Sequence, residues 1–259
     1  MRVVEALATD ALVADRYAGS DAATIAARCG VPRVVLYDAV SSTLDIAHPL
    51  ARDGAPEGTL ILAERQTAGR GRGGRAWASE EGAGIWLTLV ARPTDDAALE
   101  VLSLRVGLAA ARALEAFTEF EVRVKWPNDL MLDDGKLGGI LIESRWREER
   151  VDWVAIGIGI NFRVPHDIPN ARALREGISR VDVLGALVPA VRAAAAARGT
   201  LAAPELHEFE RRDWALGRRC VAPVAGIVRG IDARGGLLVR TDAGDVAARS
   251  GSLILEEDS

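Results

Sequence analysis

The stretch Gln66 to Trp77, QTAGRGRGGRAW, constrains the fold more than any other, because it stands where a helix must begin if the chain is a dinucleotide-binding α/β protein. Gly69, Gly71 and Gly74 have the G-x-G-x-x-G spacing, and an apolar run of strand length, residues 59–64, precedes them. A Rossmann turn opens directly into a helix that holds a pyrophosphate, with an acidic residue about 20 positions on. Here Gly82 and Gly84 interrupt any helix before the next strand-like run, residues 84–92. No Gly-Lys-Ser or Gly-Lys-Thr occurs, which excludes a Walker loop as well. What is left is a long strand-to-strand connection bearing Arg70, Arg72 and Arg75. Three guanidiniums on so mobile a backbone are expected to repel one another and to order only over an anion, as a lid over phosphates; the plain alternative is an exposed linker.

From Val31 onward, apolar runs of strand length alternate with helical ones, which predicts an α/β fold of the α+β type: a mixed, hairpin-rich sheet with flanking helices. Strands are expected at 33–40, 59–64, 84–92, 121–127, 136–146 and 150–163. Helices are expected at 41–54, 95–117, 182–198 and 204–216, the first capped by Ser41 or Ser42 and stopped by Gly54. Beyond Gly217, short β-type runs punctuated by DARGG and DAGD turns predict a small antiparallel barrel. The expected organisation is an N-terminal segment 1–30, a main domain 31–216 and a barrel domain 217–259.

With 49% hydrophobic residues in 259, the chain can bury a full core. Its net charge of −5 gives no overall field toward nucleic acid or acidic lipid, so anion binding must be local. Residues 21–33 have the look of a helix-turn-helix fragment, but they lack a basic cluster and the length of a winged module, so no nucleic-acid partner is expected. No signal-peptide core and no apolar run of about 18 residues is present, which predicts a cytoplasmic protein with no membrane partner. Cys29 and Cys220 stand far apart and His48, His166 and His207 are scattered, so neither a disulfide framework nor a zinc site is expected.

Rare residue types carry more information. Lysine occurs only at Lys125 and Lys136, glutamine only at Gln66, and asparagine at Asn128, Asn161 and Asn170. Lys125, Asn128 and Lys136 share the stretch KWPNDLMLDDGK. Keeping lysine at two nearby places in an arginine-rich chain points to sites that need a compact ammonium.

Taken in order, SST (41–43), QTAGRGRGGRAW (66–77), KWPNDL (125–130), KLGGILIE (136–143) and GIGIN (157–161) resemble the biotin protein ligase family, and the small C-terminal domain extends the likeness. The start of the chain resembles the ligase-only class, without the DNA-binding domain of the bifunctional members. The resemblance implies that residues 31–216 are a catalytic biotin- and ATP-binding domain, and that 217–259 are an SH3-like β-barrel. It implies ATP-dependent activation of biotin to biotinyl-5′-AMP, with Mg²⁺, followed by transfer to a lysine of a biotin carboxyl carrier domain.

The same resemblance assigns roles. Lys136 bridges the biotin carboxylate and the α-phosphate. Arg70, Arg72 and Arg75 bind phosphate oxygens, Arg70 also reaching biotin. Asp129 holds the metal or orients Lys136, and Asn128 bonds nearby; because no histidine sits in these motifs, Asp129 is also the candidate base for the acceptor lysine. Ser42, Thr43 and Gln66 hold the ureido ring, with the Gly69 and Gly139 backbones beside the bicyclic rings. Trp77 packs on adenine, Asn161 bonds it and Lys125 contacts phosphate. Leu44 departs from the family pattern where asparagine often follows Ser-Thr, and Gly73 departs where a further arginine is common. Two alternatives stand beside this: a lipoate or octanoate ligase of the same fold, and a non-catalytic biotin or nucleotide sensor. A monomer and a homodimer fit equally.

Overall fold

The structure, a computed structural model, describes residues 11–166 and 168–256; the reading of residues 1–10 lies outside them. The chain begins with β1 (Leu12–Val13), a hairpin of β2 (Arg16–Tyr17) and β3 (Ser20–Asp21), and α1 (Ala22–Cys29). Then come β4 (Arg33–Val40), α2 (Thr43–Arg52), β5 (Thr59–Gln66), β6 (Gly84–Ala91) and α3 (Asp96–Leu114). Next are β7 (Val122–Lys125), β8 (Asp129–Leu132), β9 (Gly135–Arg147), β10 (Arg150–Asn161), α4 (Arg180–Ala196) and α5 (Ala203–Arg212). Eight of these strands form one mixed sheet in the order β1-β4-β5-β6-β10-β9-β8-β7. Only β4 and β5 run parallel, and α2 is the crossover their pairing requires.

Period-two alternation sorts the side chains onto two faces. On one, Leu60, Leu62, Leu87, Leu89, Ile156, Ile158 and Ile160 pack in a core with α1, α3 and α4. On the other, Ile61, Ala63, Val90 and Ala155 pack under α2, through Leu44, Ile46 and Ala47. β6 is buried at all eight positions, as a central strand covered on both faces must be.

Two local readings change. DLML, which lies between the strands expected at 121–127 and 136–146, is itself strand β8, pairing β7 on one side and β9 on the other with Leu130, Met131 and Leu132 buried. The fragment 21–33 contributes α1, whose Asp21 side chain accepts from Thr24 N at 2.7 Å; Ile25 and Cys29 are fully buried in the main core.

The C-terminal strands β11 (Arg219–Ala222), β12 (Gly226–Ile231), β13 (Leu237–Thr241), β14 (Gly244–Ala248) and β15 (Ile254–Leu255) form a small antiparallel sheet, ordered β14-β13-β12-β11-β15. Its DARGG turn docks on the main domain: Trp126 Nε1 donates to Gly235 O at 3.0 Å, and Arg234 pairs with Glu100 of α3. Among the described residues, no helix is long and apolar enough to cross a membrane.

Candidate active site

On the α2 face the sheet carries an open pocket bounded by the start of α2, the end of β5, the arginine loop and strands β8, β9 and β10. Its floor follows from the alternation on β10. Ile156, Ile158 and Ile160 face the helices, so Gly157 and Gly159 face the pocket, paired with Leu141 and Gly139 of β9. No side chain rises from these glycines, and a flat ring can lie on the strands. Trp77 does so: a Cβ on Gly159 would come within 2.6 Å of its Nε1. The indole meets Trp86 edge-on, with centroids 6.4 Å apart, and its buried Nε1 has no partner among the described residues.

At one end stand Ser42, Thr43 and Gln66. Ser42 takes the N-cap position of α2 without a side-chain capping bond, and this buried residue lines the pocket. Gln66 ends β5, and its Oε1 accepts from Thr43 N at 2.9 Å and Thr43 Oγ1 at 3.3 Å. Gln66 Nε2 donates to Ser79 Oγ at 2.8 Å. Gly69 does not line the pocket. It passes so close beneath the loop that a Cβ would meet Trp77 O at 2.5 Å and Ser79 Oγ at 2.8 Å.

At the other end, the β8–β9 hairpin places Lys136 Nζ 2.6 Å from Asp129 Oδ1 and 5.1 Å from the Trp77 ring centroid. Asn128 lines the pocket, but its Nδ2 donates to Ile140 O at 2.9 Å while Ile140 N donates back to Asn128 O, tying the hairpin. Asn161 is used similarly: its Nδ2 donates to Lys136 O and Arg172 O, fastening the segment after β10 over the pocket edge. Lys125 is not brought in; its ammonium lies over Trp214, 4.9 Å from the ring centroid.

The arginine loop is held more firmly than mutual repulsion suggests, because each guanidinium has oxygen partners. Trp77 N donates to Gly69 O and Gly71 N to Arg75 O, which closes the loop on itself. Arg70 bridges Asp45 at 2.7 Å and Glu143 at 3.3 Å; these carboxylates outweigh the effect of its partial burial and raise its pKa. Arg72 donates to Gly251 O at 3.0 Å and Arg75 to Ser252 Oγ at 3.1 Å, so the C-terminal domain supports the loop. Partial burial, then the charge of Arg75, pushes Arg72 below the ordinary guanidinium value. A phosphate reaching this loop would find cations already oriented.

Several supporting residues are not apparent from sequence. Glu143 also accepts from His48 Nε2 at 2.7 Å; Trp153 Nε1 donates to the other ring nitrogen, so His48 carries its proton toward Glu143. Ser79 and Thr88 stand behind Gln66 and Thr43. Thr88 left a trace in the sequence as the lone hydroxyl of an otherwise apolar strand; Ser79 left none.

Comparison with known proteins finds relatives of both the sequence and the fold. The profile of the biotin/lipoate A/B protein ligase family matches residues 38–161. A biotin–(acetyl-CoA-carboxylase) ligase of Paracoccus denitrificans is 35% identical over 209 residues, covering 71% of this chain and 85% of that one. The bifunctional ligase/repressor BirA of Bacillus subtilis (strain 168) is 43% identical over 141 residues, covering 53% of this chain and 43% of BirA, so the match spans less than half of that relative. The structure of the Aquifex aeolicus biotin protein ligase in complex with biotin and ATP superposes with a TM-score of 0.67 at 26% identity, covering 87% of this chain and 99% of that one.

Proposed function

Since the chain belongs to the biotin protein ligase family, we propose that it activates biotin with ATP to biotinyl-5′-AMP and transfers the acyl group to a lysine of a biotin carboxyl carrier domain. The observation that carries this reading is the position of Lys136. It is one of only two lysines in the chain, and its ammonium stands in a pocket with a polar amide-and-hydroxyl cluster at one end and arginines at the mouth.

The chemistry explains the need. A carboxylate oxygen of biotin attacks the α-phosphorus, the bond to pyrophosphate breaks, and two anions must first be brought together. One such pair at 4 Å opposes approach by roughly 1 kcal/mol in water and about 4 at an effective dielectric of 20. The Lys136 ammonium would lie between the two and offset this repulsion most in the transition state. Arg70, Arg72 and Arg75 would take phosphate oxygens, and Trp77 would leave the glycine floor to cover the adenine. In the second step the acceptor amine attacks the acyl carbon and AMP departs. Asp129, beside Lys136, would take the proton.

Mg²⁺ fits a metal that arrives on the nucleotide. Such an ion draws most of its oxygens from phosphates and water, and Asp129 is the one carboxylate among the described residues lining the pocket. We further read residues 31–216 as the catalytic domain, 217–259 as an SH3-like barrel, and the protein as cytoplasmic. The test is to mix the protein with biotin, Mg-ATP and an apo carrier domain. Pyrophosphate release and a mass increase on one carrier lysine are expected. Preferential use of lipoate, or tight biotin binding without pyrophosphate, would overturn the assignment.

A further inference from the structure

We propose that Thr88 and Ser79 are positioning residues that set the hydrogen-bonding polarity of the head-group site, and thereby its preference for a urea over an alkyl or dithiolane head. The proposal rests on the biotin reading above and extends it to residues that do not line the pocket.

Thr88 lies in the middle of β6 with no exposed surface, where a valine of nearly the same shape would pack without a polar atom to satisfy. Its hydroxyl donates to Thr43 Oγ1 at 2.8 Å. Thr43 Oγ1 therefore turns its own proton to Gln66 Oε1, 3.3 Å away, where Thr43 N also donates at 2.9 Å. Both lone pairs of the Gln66 carbonyl are then filled. On its other side Gln66 Nε2 gives one hydrogen to Ser79 Oγ, and Ser79 passes its own to Trp77 O at 3.2 Å.

The amide cannot flip, since that would set Nε2 against the Thr43 N–H donor. What is left for a ligand is one N–H of Gln66, one lone pair of Thr43 Oγ1 and the hydroxyl of Ser42. A donor beside an acceptor matches the C=O and N–H of a urea. An alkyl or dithiolane head offers neither.

Thr88→Val removes the first hydroxyl and leaves the Thr43 hydroxyl free to turn its proton away from Gln66 Oε1, while Gln66 stays held by Thr43 N and Ser79. The expected result is a biotin KM raised about tenfold, with kcat at saturating biotin and the KM for ATP within about twofold of the unaltered protein. Weak inhibition by octanoate or lipoate should not change, and Thr88→Ser should restore the biotin KM. Ser79→Ala, outside the centre of the sheet, loosens the opposite end and should give the same pattern whether or not Thr88→Val folds well. An unchanged biotin KM in both variants overturns the proposal, as does equal weakening of biotin, ATP and lipoate. Failure of the underlying reading looks different: the unaltered protein would then release no pyrophosphate with biotin, and the proposal falls with it.

Discussion

Gly69 and Gly71 stand two residues apart in the same loop, and the structure assigns them opposite tolerance to a methyl group. A Cβ at position 69 would lie 2.5 Å from Trp77 O, 2.8 Å from Ser79 Oγ and 3.0 Å from Gln66 Nε2. The first of these is backbone, and it is pinned: Trp77 N donates to Gly69 O at 2.8 Å and Gln66 N to Ser79 O at 3.1 Å. Alanine must either strain this junction, at about 1–3 kcal/mol, or open it and lose hydrogen bonds worth about 0.5–1.5 kcal/mol each. Either route disfavours the closed loop by about 1–3 kcal/mol, which is roughly 5- to 150-fold in ligand affinity. The cost falls on loop closure and not on the core, so the melting temperature should hardly move. At Gly71 the nearest atoms to a Cβ are 3.5 and 4.0 Å away and the backbone is extended (φ −111°, ψ 180°), so Gly71→Ala should close as well as the parent. Pyrophosphate release titrated against biotin, with a thermal melt of each variant, measures both effects. The same biotin KM for Gly69→Ala and Gly71→Ala would refute the steric reasoning.

Lys136→Ala should lower the rate of adenylate formation by about 10²–10³ while weakening biotin binding far less, because its charge is needed most in the transition state; equal losses in single-turnover rate and in biotin affinity would contradict that role. Burial pushes the Asp213 carboxyl up from 3.8 to about 6. Its folded form then holds a proton more tightly than its unfolded form, so stability from this residue is highest below about pH 4 and falls through pH 6, by about 3 kcal/mol in all. Asp213→Asn should remove that part of the slope in urea unfolding between pH 4.5 and 7.5, and parallel profiles would refute it. Arg105, 4% exposed, joins α3 to Glu205 at 2.6 Å and to the carbonyls of Gly199 and Thr200. Arg105→Ala leaves that carboxylate and those carbonyls without their cation and should cost about 3–5 kcal/mol in denaturant unfolding; a loss under about 1 kcal/mol would show the pair to be dispensable.

The chemistry-bearing groups were legible because they are rare types in a fixed order: a lone glutamine, a lysine in a chain of arginines, a Ser-Ser-Thr before a helix. Their supports were not, because they depend on distant pairings. Arg72 meets Gly251 across 179 residues and Arg75 meets Ser252 across 177, and no local pattern announces either contact. β8 escaped because four residues are too few for alternation to register, and Lys125 escaped because a cation over an indole reads in sequence like any other basic residue.

The glycine floor lies between these cases. GIGIN was visible as a motif, yet its meaning needs the face assignment. Isoleucines at 156, 158 and 160 must turn toward the helices to bury their side chains, and period two then forces 157 and 159 outward beneath α2. Ordinary strand side chains there would fill the space that Trp77 occupies, as the 2.6 Å approach at Gly159 shows. The same alternation that builds the core on one face therefore clears the site on the other, and a one-residue slip of β10 would destroy both together.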